Sequence, residues 1–190
     1  MRKKISATEG NDIKNMSNFE SPAERNYYPA LFRIDGQLLY LIWYSTAWYD
    51  GVLTSDNNVV LVFKDLKQLK GFASDAHLRL VNDTELALHD FDAIAKWIDK
   101  PREIDVDCAL FLSAWNLIDD VRSSLGLKLK REDKMTRRIY GKLFWGNNLP
   151  AVTPLGEKYI PSWSGRELYR IKTNFSSGLK LIRDQITSLS

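Results

Sequence analysis

The chain has few of the residues and motifs on which most catalytic sites depend. Among its 190 residues are one cysteine, Cys108, and two histidines, with no glycine-rich phosphate loop, no GxSxG elbow and no zinc-spaced His/Cys set. A single cysteine excludes an internal disulfide and a thiolate metal site, which fits a reducing compartment. The longest apolar run, Leu38–Tyr44, is far shorter than the roughly 20 residues of a membrane span. We therefore expect no cofactor, no metal and no membrane partner, and a cytoplasmic location.

The few residues that could carry chemistry have ordinary structural explanations. His77 lies near Asp75, and His89 precedes Asp90, so either histidine could form an acid/base pair with a carboxylate. Such neighbourhoods recur by chance, and we expect surface or cap-region histidines. Cys108 lies in an apolar helical segment without a cation to lower its pKa, so we expect a structural thiol.

Two pairs of aspartates could be considered as ligands for a divalent metal. They are Asp90 with Asp92 and Asp105 with Asp107. Asp90 and Asp105 each precede a predicted helix, where a carboxylate accepts hydrogen bonds from first-turn N–H groups without any metal. Helix capping is therefore the expected role, and the sequence predicts a protein that is not an enzyme.

The composition is that of a globular protein with one core. Apolar residues make up 44% of the chain and charged residues 27%, close to the averages for such proteins. A length of 190 residues suits a single domain. Residues 1–25 are polar without a period of 2 or 3.6, so we expect a flexible tail, in which Met16 could be a second start. Residues 26–190 are expected to form the domain.

The N-terminal part predicts an antiparallel meander of about four strands. Asp35-Gly36 lies between two apolar arms and favours a type I′ hairpin turn, because both central residues need positive φ. Asp50-Gly51 and the polar run 55–58 predict further turns before a strand at 59–63. Poor alternation over 38–43 indicates a strand that is covered on both faces.

A short helix and one or two further strands should follow. In KDLKQLKGFA, Leu66, Leu69 and Phe72 fall on one side and lysines on the other, which is the spacing of an amphipathic helix. The additional strands are predicted at 78–81 and 85–88.

The C-terminal half predicts helices, so that the whole chain belongs to the α+β class. Asp90 can cap a helix that Pro101 stops, and Asp105 can cap a buried helix over 106–125 that Gly126 ends. Further on, Ser164 and Glu167 form a capping box before a last helix with an apolar stripe. Gly178 lies inside this stripe, and a close contact would explain it.

The net charge of +3 conceals two segments of opposite charge. Residues 83–120 contain ten acids and three bases, and residues 122–142 contain eight bases and two acids. The basic segment 128–142 could bind RNA, since cations meet phosphates and nearby aromatic rings stack on bases. The contacts in that alternative are Arg131, Lys134, Arg137 and Arg138. Because two acids interrupt the segment, a solvated helix face, or one that pairs with the acidic segment, is the favoured interpretation.

Aromatic density around the second Asp-Gly raises the possibility of a recognition surface. Trp43 falls within a predicted buried strand, so the core is favoured for it. Trp48, Tyr49 and Asp50 lie at a predicted hairpin end, where an exposed Trp and Tyr beside an acid are typical anchors of protein recognition. Core and interface remain equally open for Trp48 and Tyr49.

Several stretches in this order resemble a known group of proteins. They are WYDG at 48–51, the helix ALFLSAWNLIDDV at 109–121 and the loop KLFWGNNLPAVTP at 142–154, followed by the capped terminal helix. Over residues 27–189 the chain is similar to immunity proteins of bacterial contact-dependent growth-inhibition systems. The resemblance implies a noncatalytic cytoplasmic inhibitor that neutralises one cognate toxin C-terminal domain.

The charge distribution indicates where such a toxin could bind. Toxins that attack RNA or DNA present basic clefts, and the acidic segment 83–120 could supply a complementary field. Nuclease inhibitors are often acidic throughout, whereas this chain is net positive, so a local patch has to supply that field. The candidate partner-binding residues are Asp90, Asp92, Asp99, Trp48, Tyr49 and Asp50. The alternatives are the RNA-binding module and an enzyme that uses His77 or His89.

Overall fold

The computed structural model describes residues 25–81, 86–127 and 133–187. Apart from Arg25, the predicted tail 1–25 with Met16 lies outside them, as do parts of the predicted strand 85–88 and of the basic segment 128–142. The described strands are β1 Asn26–Ile34, β2 Gln37–Ser45, β3 Asp50–Val52, β4 Val62–Phe63 and β5 Leu88–Asp90. The described helices are α1 Leu66–Asp75, α2 Phe91–Asp99, α3 Cys108–Ser124, α4 Lys134–Gly146 and α5 Gly165–Thr187. The predicted α+β class, with strands before helices in one compact domain, is confirmed.

The sheet is built on the β1–β2 hairpin. Asp35 and Gly36 have φ angles of 50° and 74°, as the predicted two-residue turn requires. The strand order is β3-β2-β1-β5, with β4 also paired to β2. The predicted antiparallel pairing of the first four strands is confirmed by β1–β2, β2–β3 and β2–β4, and the later strand β5 pairs parallel to β1. Parallel neighbours need a crossover, which here contains α1.

The second Asp-Gly does not form the turn that the sequence predicted. The chain reverses earlier, where Thr46 Oγ1 donates to the Tyr49 carbonyl at 2.7 Å. Gly51 lies inside β3, and a Cβ there would fall 2.6 Å from the Tyr44 hydroxyl and 2.7 Å from Ser124 Oγ. Glycine is therefore needed at this position for close packing, and the dipeptide carries no turn.

Helices cover both faces of the hairpin, as the poor alternation predicted. One face packs on α1, and this contact buries Tyr27, Ile42 and Tyr44 of the hairpin with Leu69 and Ala73 of α1. The other face packs on the C-terminal helices in a larger core that includes Phe32, Leu41, Phe111, Ile118, Phe175 and Ile182. Trp43 is only partly buried at the margin of this larger core.

Aspartates cap the helices, with one correction. Asp90 accepts from Ala93 N at 3.1 Å and begins α2 as predicted. Asp107, rather than the predicted Asp105, caps α3 through Leu110 N at 3.0 Å. Asp105 belongs to a short 3-10 turn that shifts the start of α3, and its carboxylate pairs with Arg102. Gly126 follows α3 with a φ of 65°, as predicted for a helix end.

The predicted capping box orders the start of α5. Glu167 accepts from Ser164 N at 2.8 Å, and Glu167 N donates to Ser164 Oγ at 3.3 Å. Glu167 is only 2% exposed and also pairs with Lys142 and Arg138 of α4. Part of the basic segment thus pairs with an acid of the same chain, although that acid lies outside segment 83–120.

One further feature of the helices follows from the sequence. A Cβ at Gly178 would overlap the side chain of Ile118, which is the predicted close contact between α5 and α3.

Among the described residues, no helix combines the length and apolar character that crossing a membrane requires.

Candidate functional site

A groove of about 750 Å³ lies between the sheet and α3. It lies toward the end of the hairpin that is remote from the Asp35-Gly36 turn, because it is lined by Tyr28 and Trp43, which pair across β1 and β2. Strand β3, strand β5 and helix α4 complete its walls. The polar and aromatic residues that line it are Tyr28, Trp43, Asp50, His89, Ser113, Asn116, Asp119, Asp120 and Tyr140.

Three carboxylates converge on this groove from two elements. Asp50 comes from β3 and accepts from Ser45 Oγ at 2.7 Å. Asp119 and Asp120 come from α3, and Asp120 accepts from Trp43 Nε1 at 2.8 Å. Because Trp43 and Asp120 are 77 residues apart in sequence, only the folded chain brings these groups together.

The three carboxylates differ in how well they are compensated. Asp119 accepts from Trp115 Nε1 at 2.9 Å and pairs with Arg122 at 2.9 Å. Asp50 and Asp120 have no cationic partner among the residues of the three described ranges. The groove therefore holds a negative charge that the fold neutralises only in part.

The pKa of Asp120 reflects this incomplete compensation of charge. Burial raises the pKa of the Asp120 carboxyl to about 6, and the charges of Asp50 and Asp119 add to this effect. The hydrogen bond from Trp43 lowers the same pKa, but by less. Strongly perturbed carboxylates that face a cleft are candidates for a functional site.

Aromatic rings form the apolar part of the groove. The rings of Tyr28 and Trp43 lie 5.2 Å apart, and the indole of Trp43 is fixed by its bond to Asp120. On the opposite side, the hydroxyl of Tyr140 donates to Asn116 Oδ1 at 3.0 Å. The walls are thus held in place before any partner arrives.

His89 and Ser113 form the pair in the groove that most resembles a catalytic arrangement. The Nδ1 atom of His89 lies 2.8 Å from Ser113 Oγ, a distance suited to a nucleophile and its base. Burial lowers the pKa of His89, and the contact with Ser113 offsets only part of that effect. Ser113 lies in the middle of α3, where the backbone N–H groups bond within the helix and are not available for an oxyanion. The pair is thus better suited to orienting α3 against β5 than to acyl transfer.

The other candidates for chemistry have structural surroundings. Cys108 is 7% exposed, and burial, with a smaller effect from Asp107, raises the pKa of its thiol. His77 is exposed and follows α1 with a φ of 56°. Within the described ranges, no group of three or more His, Cys, Asp or Glu side chains has a metal-binding arrangement.

The predicted partner-binding residues lie in three places. Trp48, Tyr49 and Asp50 lie at the open end of the hairpin, and Asp50 lines the groove. Asp90 and Asp92 lie beside the turn, roughly 25 Å away along strands of nine residues. Asp99 is exposed at the end of α2.

Near the turn, the predicted acids have partners within the chain. Asp90 pairs with Arg33 at 2.9 Å. Asp92 accepts from the backbone N–H groups of Asp35 at 2.6 Å and Gly36 at 2.9 Å. These two acids are engaged in holding the hairpin onto α2.

At the other end, the turn beside the groove presents an aromatic side chain. Trp48 is 84% exposed, and Tyr49 packs its ring edge-on against Tyr44 at 6.2 Å. Thr46 Oγ1 accepts from the N–H groups of Trp48 and Tyr49 at 3.2 and 3.0 Å. The turn is therefore ordered while Trp48 points to solvent.

Sequence reasoning did not single out the α3 side of the groove. A signal was present, because Ser113, Asn116 and Asp120 follow one another by three and four residues on a helix whose first half is largely apolar. Such a polar stripe marks the side on which the helix leaves the core. The apolar residues around it drew attention to burial instead.

Known proteins give no guide to the role of this groove. No protein-family model, no curated protein and no solved structure matches the chain.

Proposed function

We propose that this protein is a noncatalytic immunity protein that binds and neutralises a bacterial toxin domain, with the groove as the centre of its contact surface. The observation that carries the proposal is the charge left on Asp50 and Asp120 beside the Trp43 and Tyr28 rings. A carboxylate that is buried in part without a cation costs stability, and a positively charged partner would offset that cost.

The neighbouring turn supports a protein partner rather than a small ligand alone. Trp48 projects from an ordered turn two residues before Asp50. Exposed tryptophans of this kind often become central contacts in complexes, since a large rigid ring loses little conformational entropy on binding. Trp48 would extend the contact from the groove onto its rim.

A nuclease domain is the partner that best fits the charge. Its active-site cleft binds a polyanion and is therefore basic, so it would be attracted to Asp50, Asp119 and Asp120. An inhibitor of this kind acts where the toxin is delivered, which places the proposed function in the bacterial cytoplasm. Long-range attraction would raise the association rate by roughly 10- to 1,000-fold at low salt.

The RNA-binding alternative has less support from the geometry. Arg138 and Lys142 of α4 are engaged with Glu167. Lys134 and Arg137 are exposed on the same helix and would remain available, whereas Arg131 lies outside the described residues. Binding to mixed-sequence RNA that weakens steeply with salt would favour this alternative over the toxin.

Growth protection provides the direct test. The chain is co-expressed with the C-terminal domain of a large secreted protein encoded beside its gene, and survival and complex formation are measured. The double variant Asp50→Asn/Asp120→Asn should lose protection. The matched control Asp56→Asn/Asp75→Asn removes the same charge from exposed positions outside the groove and should protect fully. Equal protection by both variants would remove the groove from the interface.

A further inference from the structure

We infer that the groove is a receptor for one arginine side chain of the partner, held between Asp50 and Asp120 and stacked on Trp43. This inference rests on the proposed function, because it treats the occupant as part of a protein. It goes further in naming the chemical group that is recognised and the residues that select it.

Within the described part of the chain, Asp50 and Asp120 each have one carboxylate oxygen that is already bonded and one that is not. Asp50 uses Oδ1 to accept from Ser45, and Asp120 uses Oδ2 to accept from Trp43. Within the described ranges, no donor reaches Asp50 Oδ2 or Asp120 Oδ1. Strand β3 and helix α3 therefore each present one open carboxylate oxygen to the groove.

Of the two cationic side chains, arginine has the shape that suits two separate acceptors. A guanidinium carries five N–H donors in a rigid plane and can bond two carboxylates at once. An ammonium is a compact, strongly hydrated charge that loses more on leaving water. Two acceptors on different walls thus favour arginine over lysine.

The aromatic wall of the groove also favours arginine. Arginine stacks on tryptophan more often than lysine does, because its flat, weakly hydrated cation matches the face of the ring. Trp43 is held by Tyr28 at 5.2 Å and by its bond to Asp120. Since the ring is already fixed, little freedom would be lost when the guanidinium stacks on it.

The groove has room for more than the arginine side chain itself. A space of about 750 Å³ is larger than one side chain requires and lies in the range of sites that enclose whole ligands. The remaining space runs toward His89, Ser113 and Asn116, whose polar atoms could meet the backbone on either side of the arginine. The groove therefore fits an arginine carried on a loop or an extended segment.

The test uses small probes with the purified full-length chain. N-acetyl-arginine amide and N-acetyl-lysine amide are titrated at millimolar concentrations while the indole N–H resonance of Trp43, assigned with a Trp43→Phe variant, is followed by NMR. The arginine probe should shift this resonance saturably, with the lysine probe about fivefold weaker or more. Asp50→Asn and Asp120→Asn should each weaken the arginine probe, whereas Asp56→Asn should leave it unchanged.

The outcomes separate this inference from the proposed function. An equal response to both probes, or no saturable shift, overturns the arginine site. If growth protection still depends on Asp120 in that case, the proposal that the groove binds a toxin stands without the arginine site. A selective arginine response that vanishes in Asp120→Asn supports the site. If the same Asp120→Asn variant protects cells fully, the arginine site stands and the groove's role in toxin neutralisation does not.

Discussion

The two ends of the β1–β2 hairpin both carry clustered aspartates, and the fold treats them in opposite ways. At the turn end, Arg183 binds both carboxylate oxygens of Asp35, with distances of 2.7 and 2.9 Å, and this bond lowers the Asp35 pKa. At the open end, burial and like charge raise the pKa of Asp120. The charged form of Asp35 is therefore stabilised in the folded chain, whereas the charged form of Asp120 is destabilised.

This difference distinguishes acids that serve the fold from acids that are available to a partner. An aspartate that accepts backbone N–H groups or binds an arginine of its own chain adds to stability, as Asp92 and Asp90 do. An aspartate that is destabilised in the folded chain contributes nothing to folding that an asparagine could not supply. Such a carboxylate is suited to a positively charged ligand that the isolated chain lacks.

The largest effect is expected for Asp120→Asn, which should weaken the proposed toxin complex and stabilise the free protein. Loss of one partner of a buried charge pair would cost about 2–5 kcal/mol of binding. The asparagine oxygen can still accept from Trp43, so the free energy of unfolding at pH 7 should rise by about 1–2 kcal/mol. Calorimetric binding and denaturant unfolding measure the two quantities.

The pH dependence checks the cause of that gain. Because the folded pKa of Asp120 is about 6 and its ordinary value is 3.8, this carboxyl costs stability as it ionises. The advantage of Asp120→Asn should therefore grow as the pH rises from about 4 to about 6 and then level off. A variant that is less stable than the parent at pH 7 would contradict the assignment of Asp120 as a destabilised acid.

Glu167→Gln should give the next largest effect, with the opposite sign for stability. Burial raises the pKa of Glu167, but hydrogen bonds from Ser164 and Lys142 outweigh burial and bring the pKa to about 2. Since the ordinary value is 4.5, this carboxylate stabilises the fold by about 3 kcal/mol above pH 4.5, and the contribution is lost as the pH falls toward 2. Denaturant unfolding at pH 7 should show that loss.

The matched control for Glu167 is a glutamate in the loop before α5. Glu157 is exposed, so Glu157→Gln should leave the free energy of unfolding nearly unchanged. Similar losses in both variants would mean that net charge, and not the buried contacts of Glu167, determines the effect.

Trp48→Ala should weaken the toxin complex by about 2 kcal/mol without changing the free energy of unfolding. The reason is its exposure of 84%, which leaves little folded-state packing to lose. Tyr169 on α5 is 72% exposed and does not line the groove, so Tyr169→Ala provides a control for loss of an exposed aromatic ring. Equal effects of the two variants on the dissociation constant would show that Trp48 has no special place in the interface.

Local signals made much of the fold predictable. The turn at Asp35-Gly36 and the caps at Asp90 and Ser164 each depend on a few adjacent residues, whose preferences the structure satisfies. The same reasoning was wrong at Asp50-Gly51, because close packing by Tyr44 and Ser124 determines that position. A dipeptide does not reveal which distant side chains will lie against it.

The site was less predictable for the same physical reason. Asp50 could be picked out beside Trp48, but its relation to Asp120 depends on α3 docking against β3. Asp90 and Asp92 are the same residue type as the groove acids, so the sequence does not distinguish the two sets. Only the positions of Arg33 and of the turn amides show that their hydrogen bonds are already made.

Asp92→Ala should give the smallest effect, and it tests whether the turn end takes part in binding. Removing the carboxylate leaves the N–H groups of Asp35 and Gly36 to water, which should cost about 1 kcal/mol of unfolding free energy at this exposed site. Asp99→Ala, at the other end of the same helix, should cost almost nothing. Neither variant should slow toxin association at low salt, whereas Asp50→Asn should. Slower association for Asp92→Ala alone would place the turn end in the interface and remove the distinction between the two clusters, because an acid that is engaged in the fold would then also be recognised by the partner.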